Sequence, residues 1–207
     1  PKFFYHRSGA LLPVLALASV LILGCGVVWG LLIAPADYQQ GESVRIMYVH
    51  VPAAILAQSS YAMMAIMALI SLIWRLKIAD AAVQTVAPIG ACVTLLALAT
   101  GSLWGKPMWG TYWVWDARTT STLVLLFIYL GYMALWEAIE NPDAAADLTS
   151  VLCLVGTVFA VISRYAILFW NQGLHQGASL SLDAEENVAD VFAYPLWLCI
   201  IGFFLLF

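Results

Sequence analysis

Apolar residues fall in long unbroken runs along this chain, separated by short polar intervals. Six runs are long enough to carry a helix across the hydrocarbon of a bilayer, which takes about 20 residues. They cover roughly 11–33, 51–74, 81–103, 120–138, 148–168 and 188–207. The runs are continuous rather than alternating, so they predict helices, whose backbone groups are satisfied without water. The expected fold is an all-α integral membrane protein, a bundle of six transmembrane helices, with residues 1–207 as a single polytopic membrane domain. Within the first run, Gly26 and Gly30 stand four apart, a spacing that lets another helix come close. Asp116 stands just before the fourth run, where it predicts an N-cap.

Successive helices reverse direction, so the first, third and fifth connections share one face of the membrane. The second and fourth share the other face with the N-terminus. The second, "RLKIAD", and the fourth, near "IENPDAAAD", are short. The other three are longer and richer in aromatic and polar residues: "APADYQQGESVRIMYVH", "WGKPMWGTYWVWD" and "FWNQGLHQGASLSLDAEEN". Long ordered connections are where binding and chemistry concentrate. Cationic residues divide evenly, with Lys2, Arg7, Arg75 and Lys77 on one face and Arg45, Lys106, Arg118 and Arg164 on the other. If the second group is held in place by a function, the first is the topological signal. The N-terminus is then cytoplasmic and the long connections lie outside.

Composition agrees with lipid as the solvent. Of 207 residues, 64% are hydrophobic and 10% charged, and the mean hydropathy is +0.94. Soluble domains are nearer half apolar and a quarter charged. The net charge of −4 says little, since the few charges sit between apolar runs, and there is no basic face for nucleic acid. Cys25, Cys92, Cys153 and Cys199 all lie in apolar runs with no C-x-x-C pair, and they read as small buried hydrophobes. The sequence opens at Pro1 and stops at Phe207 inside an apolar run, so both ends are expected to be trimmed. The first run is too long for a signal-peptide core and reads as a span.

Candidate chemistry gathers on the face of the long connections. The third connection holds Trp104, Trp109, Trp113 and Trp115, four of nine tryptophans within twelve residues. Gly105, Pro107 and Gly110 interrupt it, so it reads as a loop. An interfacial tryptophan belt scatters its rings over all helix ends, and this cluster does not. His50, ahead of Pro52 in what reads as the first turn of a helix, and His175 are on the same face by parity. Two imidazoles flanking flat aromatics suit a flat apolar ligand with a metal at its centre. Heme has that form: its iron takes two axial nitrogens, and its carboxylates favour Arg or Lys. Arg45, Arg118 and Lys106 are the candidates for those carboxylates. Each of these residues also has a plainer reading as an interfacial anchor or hydrogen-bonding group. Arg164 lies deep in the fifth run, where an intramembrane charge is a functional suspect, unless the helix ends near it. Glu137, Glu140, Asp143 and Asp147 read as a solvated loop. "GSLWGKP" lacks the spacing and the Ser or Thr of a phosphate-binding loop. No catalytic residue set is readable.

The stretch "WGTYWVWD", residues 109–116, resembles the W-G-x-x-W-x-W-D motif of heme-handling membrane proteins of cytochrome c maturation. "APADYQQG", "YVHVPAA", "APIGA", "TGSLWGKPMWG" and "LHQGAS" extend the match in order over nearly the whole chain, and together they resemble the CcmC family. The resemblance implies that His50 and His175 are axial ligands of heme b (iron protoporphyrin IX). It implies a heme platform of Trp104, Trp109, Trp113, Trp115 and Asp116 on a periplasmic tryptophan-rich loop, with Arg45 and Arg118 at matching positions. It also implies an inner-membrane location and a role in presenting heme to the chaperone CcmE. CcmE binds heme covalently, and the ABC transporter subunits CcmA and CcmB and the small membrane protein CcmD act alongside. Members of the family have Leu at the position of Thr119, an acid at that of Thr122, and often Asn-Leu-Pro near 159–161, departures that bear on packing around Arg164.

The expected mechanism has heme on the tryptophan platform, iron held from both sides, and one vinyl edge exposed to the chaperone. The covalent chemistry then belongs to heme and chaperone rather than to a classical enzyme site. Three rival readings remain at this stage. One is a transporter of heme or another solute, which calls for polar mid-span positions or broken helices. Another is an assembly subunit whose tryptophans bind protein. The last is a relative of the larger cytochrome c synthetases.

Overall fold

A computed structural model describes the backbone of residues 2–169 and 188–207, and the side chains of residues 8–166 and 188–207. His175 and the "LHQGAS" segment lie outside the described residues. The described residues form six α-helices: α1 Lys2–Val28, α2 Met47–Trp74, α3 Lys77–Trp109, α4 Ala117–Ala138, α5 Pro142–Phe169 and α6 Asp190–Leu206. A π-helical turn, Trp29–Ile33, extends α1, and a 3-10 turn, Glu42–Ile46, leads into α2. Among the described residues, five segments are long and apolar enough to cross a membrane: Ser8–Ile33, Glu42–Trp74, Lys77–Trp109, Ala117–Ala138 and Pro142–Ala166. α6 is apolar but shorter, with 17 residues.

Helices overrun the apolar runs that predict them, because helix formation follows backbone hydrogen bonding and capping rather than hydropathy alone. α5 starts at Pro142 instead of 148. Asn141 accepts the amides of Asp143 (3.0 Å) and Ala144 (3.1 Å) through Oδ1, and Pro142 fills a first-turn position whose N–H has no helical partner. The acids read as a solvated loop are thereby corrected, since Asp143 and Asp147 are helical. Lys77 pairs with Asp143 at 3.2 Å and Arg75 pairs with Asp147. The second connection shrinks to Arg75 and Leu76, with Arg75 in the left-handed region at φ 54°. α2 begins four residues before 51, so Pro52 stands beyond the first turn and has no N–H to give to the Tyr48 carbonyl. The cysteine reading holds for Cys153 and Cys199. Cys25 and Cys92 are exposed instead, because they fall on the outward faces of their helices, and all four are free thiols.

The chain divides into two compact units, Pro1–Pro52 with Ala178–Phe207, and Ala53–Gly177. In the first, α1 packs on α6. Gly26 makes this possible as its spacing predicts: a Cβ there would lie 2.9 Å from the Cys199 amide nitrogen. Gly30, one turn on, lies under the ring of the fully buried Tyr48, which a Cβ would meet at 2.4 Å. Ser19 Oγ ties α1 to α6 by donating to the Gly202 carbonyl at 3.0 Å.

In the second unit α4 packs on both α3 and α5. Its core joins Tyr61, Met64 and Ala68 of α2 with Val83 and Val86 of α3, Leu125 and Tyr129 of α4, and Cys153 of α5. Tyr61 and Tyr129 meet edge to face, with centroids 5.2 Å apart. A buried phenol needs a hydrogen-bond partner. Tyr61 Oη donates to the Cys153 carbonyl at 2.8 Å, and Tyr129 Oη to the Ala57 carbonyl at 3.1 Å. Gly156 makes room for Tyr61, since a Cβ there would stand 1.9 Å from its hydroxyl.

Candidate functional site

Only the second half of the tryptophan stretch is a loop. α3 continues through Trp104, Gly105, Lys106 and Pro107 to Trp109, which corrects the expectation that the glycine and proline break it at 103. Pro107 removes only one N–H, the one that would reach the Leu103 carbonyl. Gly105 leaves space for the Trp109 ring, which a Cβ would meet at 2.9 Å. The break comes at Gly110, left-handed at φ 76°, whose N–H returns to the Lys106 carbonyl at 3.0 Å. This is the αL helix ending for which glycine is suited. Trp104 and Trp109 are therefore helical and half-buried, while Trp113 and Trp115 stand on a seven-residue connection, 110–116.

Local polar bonds fix that connection. Lys106 Nζ donates to the Gly110 carbonyl at 2.9 Å and lies 5.3 Å from the centroid of the Tyr112 ring. Thr111 Oγ1 bonds the Trp113 carbonyl at 3.2 Å. Asp116 caps α4 as its position predicts, with Oδ1 accepting from the Thr119 amide and the Thr119 hydroxyl, both at 2.7 Å. The one proton of that hydroxyl is shared between Asp116 and the Val114 carbonyl, which lies against the same Oγ1. In the sequence Thr119 stands out only as a departure from the family's Leu, although its place three residues after an N-cap acid is the signal of this role. The result is a rigid shelf. Trp113 and Trp115 meet edge to face, with centroids 5.5 Å apart and planes at 72°. Trp115 is 75% exposed, and Trp113 turns its indole nitrogen inward.

The cation candidates have different occupations. Arg45, in the first unit, caps the end of the first helix: Nη1 donates to the carbonyls of Gly30 (3.1 Å) and Leu31 (2.7 Å), and Nε pairs with Glu42. A cation there is favoured by the carbonyls and the negative helix end. Lys106 is held by the Gly110 carbonyl. Arg118, in the first turn of α4, is half-buried, and its Nε has no hydrogen-bond partner among the described residues. The same holds for Trp113 Nε1. Buried donors without acceptors are rare, and a missing partner is one cause.

His50 lies half-buried in the first turn of α2, in the first unit. Among the described residues, no group of three or more His, Cys, Asp or Glu side chains is placed to hold a metal. Arg164 is helical, five residues before the end of α5, so the helix does not stop short of it.

Sequence comparison supplies the relatives. The family model for CcmC, heme exporter protein C, matches residues 1–207. Heme exporter protein C of Paracoccus denitrificans is 56% identical over 207 residues, covering 100% of this chain and 86% of the relative. That of Rhodobacter capsulatus is 58% identical over the same 207 residues, with 86% of the relative covered. That of Escherichia coli K12 is 50% identical over 206 residues, with 82% of the relative covered.

Proposed function

Since the chain belongs to the CcmC family, we propose that it binds heme b at the outer face of the bacterial inner membrane. In this reading it presents heme to the periplasmic chaperone CcmE during c-type cytochrome biogenesis, with CcmA, CcmB and CcmD as partners. Heme is the substrate, carried rather than kept. The observation that carries the reading is the pair of buried donors left over at the tryptophan shelf, Trp113 Nε1 and Arg118 Nε. The Trp113 ring meets the indole of Trp115, which stays 75% exposed, edge to face. An exposed flat ring beside unmatched N–H groups suits a flat apolar ligand with acidic substituents.

Trp104, Trp109, Trp113 and Trp115, with Asp116 holding their connection, form the platform. Arg118 takes a carboxylate. Arg45 and Lys106 serve more weakly in that part, because backbone carbonyls already engage them. His50 and His175 supply the axial nitrogens, and a neutral imidazole orients the iron without charge. The shelf orients the ligand and excludes water from one face, leaving an edge open to the chaperone's histidine. A site that hands its ligand on must bind it reversibly, so aromatic contact and exchangeable nitrogen ligands suit the task better than a covalent tether.

The test is the absorption spectrum of the purified chain with His50→Ala, His175→Ala and both changes. Each single change is expected to alter the heme bands, and the double change to abolish the two-imidazole spectrum. An unaltered spectrum in the double variant overturns the ligand assignment.

A further inference from the structure

Charge is unevenly matched at the two ends of the second unit. At the end formed by Trp74, Lys77, Ala138 and Pro142, both cations have carboxylates: Arg75 with Asp147 and Lys77 with Asp143. The loop end holds Lys106, Arg118 and Arg164 against one described acid, Asp116. That acid's Oδ1 is engaged by the amide and hydroxyl of Thr119.

Two of these cations sit on facing turns of α4 and α5. Thr122 Oγ1 donates to the Arg118 carbonyl at 2.7 Å and lies 2.7 Å from Ser163 Oγ, on the residue before Arg164. Gln58 Nε2, from α2, donates to the same Ser163 hydroxyl at 3.0 Å. The contact between these turns is thus made by uncharged hydroxyl and amide groups, which fix the geometry and neutralise nothing. Arg118, whose carbonyl accepts from Thr122, and Arg164, next to Ser163, thus flank one hydroxyl contact. The Arg118 Nε is buried with no partner among the described residues. The Arg164 guanidinium is exposed and lies 5.7 Å from the centroid of the Tyr165 ring. Like charges held together in an apolar protein repel, and a single oxyanion between them turns that repulsion into two charge-assisted hydrogen-bonding sites.

We propose that Arg118 and Arg164 form a two-guanidinium seat for one oxyanion, with Arg164 as its second cation. The oxyanion is a carboxylate or a phosphate, and two sources carry that chemistry: a carboxylate of bound heme, which rests on the function proposed above, or the headgroup of an anionic phospholipid, which does not. Arginine suits either, since its planar fork matches both groups.

The experiment uses the full chain as wild type, Arg164→Gln and Arg164→Lys. Each is reconstituted in nanodiscs of phosphatidylcholine and titrated with heme and with heme dimethyl ester, whose carboxylates are blocked. In parallel, phosphatidylglycerol retained from a mixed membrane is measured by native mass spectrometry. If heme supplies the anion, Arg164→Gln weakens heme at least about tenfold. The ester then binds all three proteins equally, and Arg164→Lys recovers part of the loss. If lipid supplies it, heme and ester are unaffected and Arg164→Gln loses the phosphatidylglycerol that wild type retains. The proposal is overturned if Arg164→Gln changes neither measurement, or if it weakens heme and ester alike without loss of lipid. Failure of wild type to bind heme at all refutes the proposed function instead, and the lipid measurement still reads this seat.

Discussion

Asp116 is the residue on which the geometry of the tryptophan connection turns, and it can be tested apart from ligand binding. Its Oδ1 accepts two hydrogen bonds of 2.7 Å from Thr119, one from the amide that α4 leaves unbonded at its start and one from the hydroxyl that reaches back to Val114. Asp116→Ala removes the bond from the amide, while the single hydroxyl proton keeps the Val114 carbonyl as its acceptor. At roughly 1 kcal/mol net for the cap, the local loss is about fivefold in the opening equilibrium of the first turn. Asp116→Asn keeps an acceptor oxygen in the same place and gives up only the attraction of a negative charge for the helix start, about 0.5 kcal/mol, or roughly twofold. Hydrogen exchange followed by mass spectrometry on peptides covering residues 113–121, in the ligand-free protein, reads this directly. The expected order is wild type slowest, Asn close behind, and Ala fastest, by about fivefold over wild type. If Asn exchanges as fast as Ala, the charge rather than the cap holds the turn. If Ala exchanges like wild type, the cap contributes nothing and the account of the shelf is wrong.

Two further outcomes follow from packing and charge. Gly156→Ala forces Tyr61 off its bond to the Cys153 carbonyl and should lower stability in detergent unfolding by about 1–3 kcal/mol. Gly131→Ala meets only Leu152 Cδ2 at 3.7 Å and should be neutral, or stabilising by up to about 1 kcal/mol. Similar losses in both would show that the close approach at Tyr61 is not what sets the difference. Asp147→Asn breaks an ion pair whose side chains are 65% and 39% exposed, and the same unfolding assay should register less than about 1 kcal/mol.

The sequence by itself determined the material and the order of the elements. Continuous apolar runs in a chain with few charges can only be helices meant for lipid, because that reading depends on each residue's own transfer energy. The cap at Asp116 was legible for a similar reason, since it depends on neighbours within one helical turn, whereas spacing flagged Gly26 without naming its partner on α6. The helix ends were read less well. Gly105 and Pro107 signal a break, yet α3 runs on to Trp109, because one missing N–H and one added ring contact are too little to stop a helix already supported along its length. The partners of polar side chains were beyond the sequence altogether. Nothing near Arg45 reveals that it caps a helix ending twelve positions earlier, at Ile33, and nothing near Arg164 reveals Arg118 on the facing turn. A charge or donor in an apolar protein takes whatever acceptor the packing brings within about 3 Å. That choice belongs to the tertiary structure, because it is made between segments far apart in the chain.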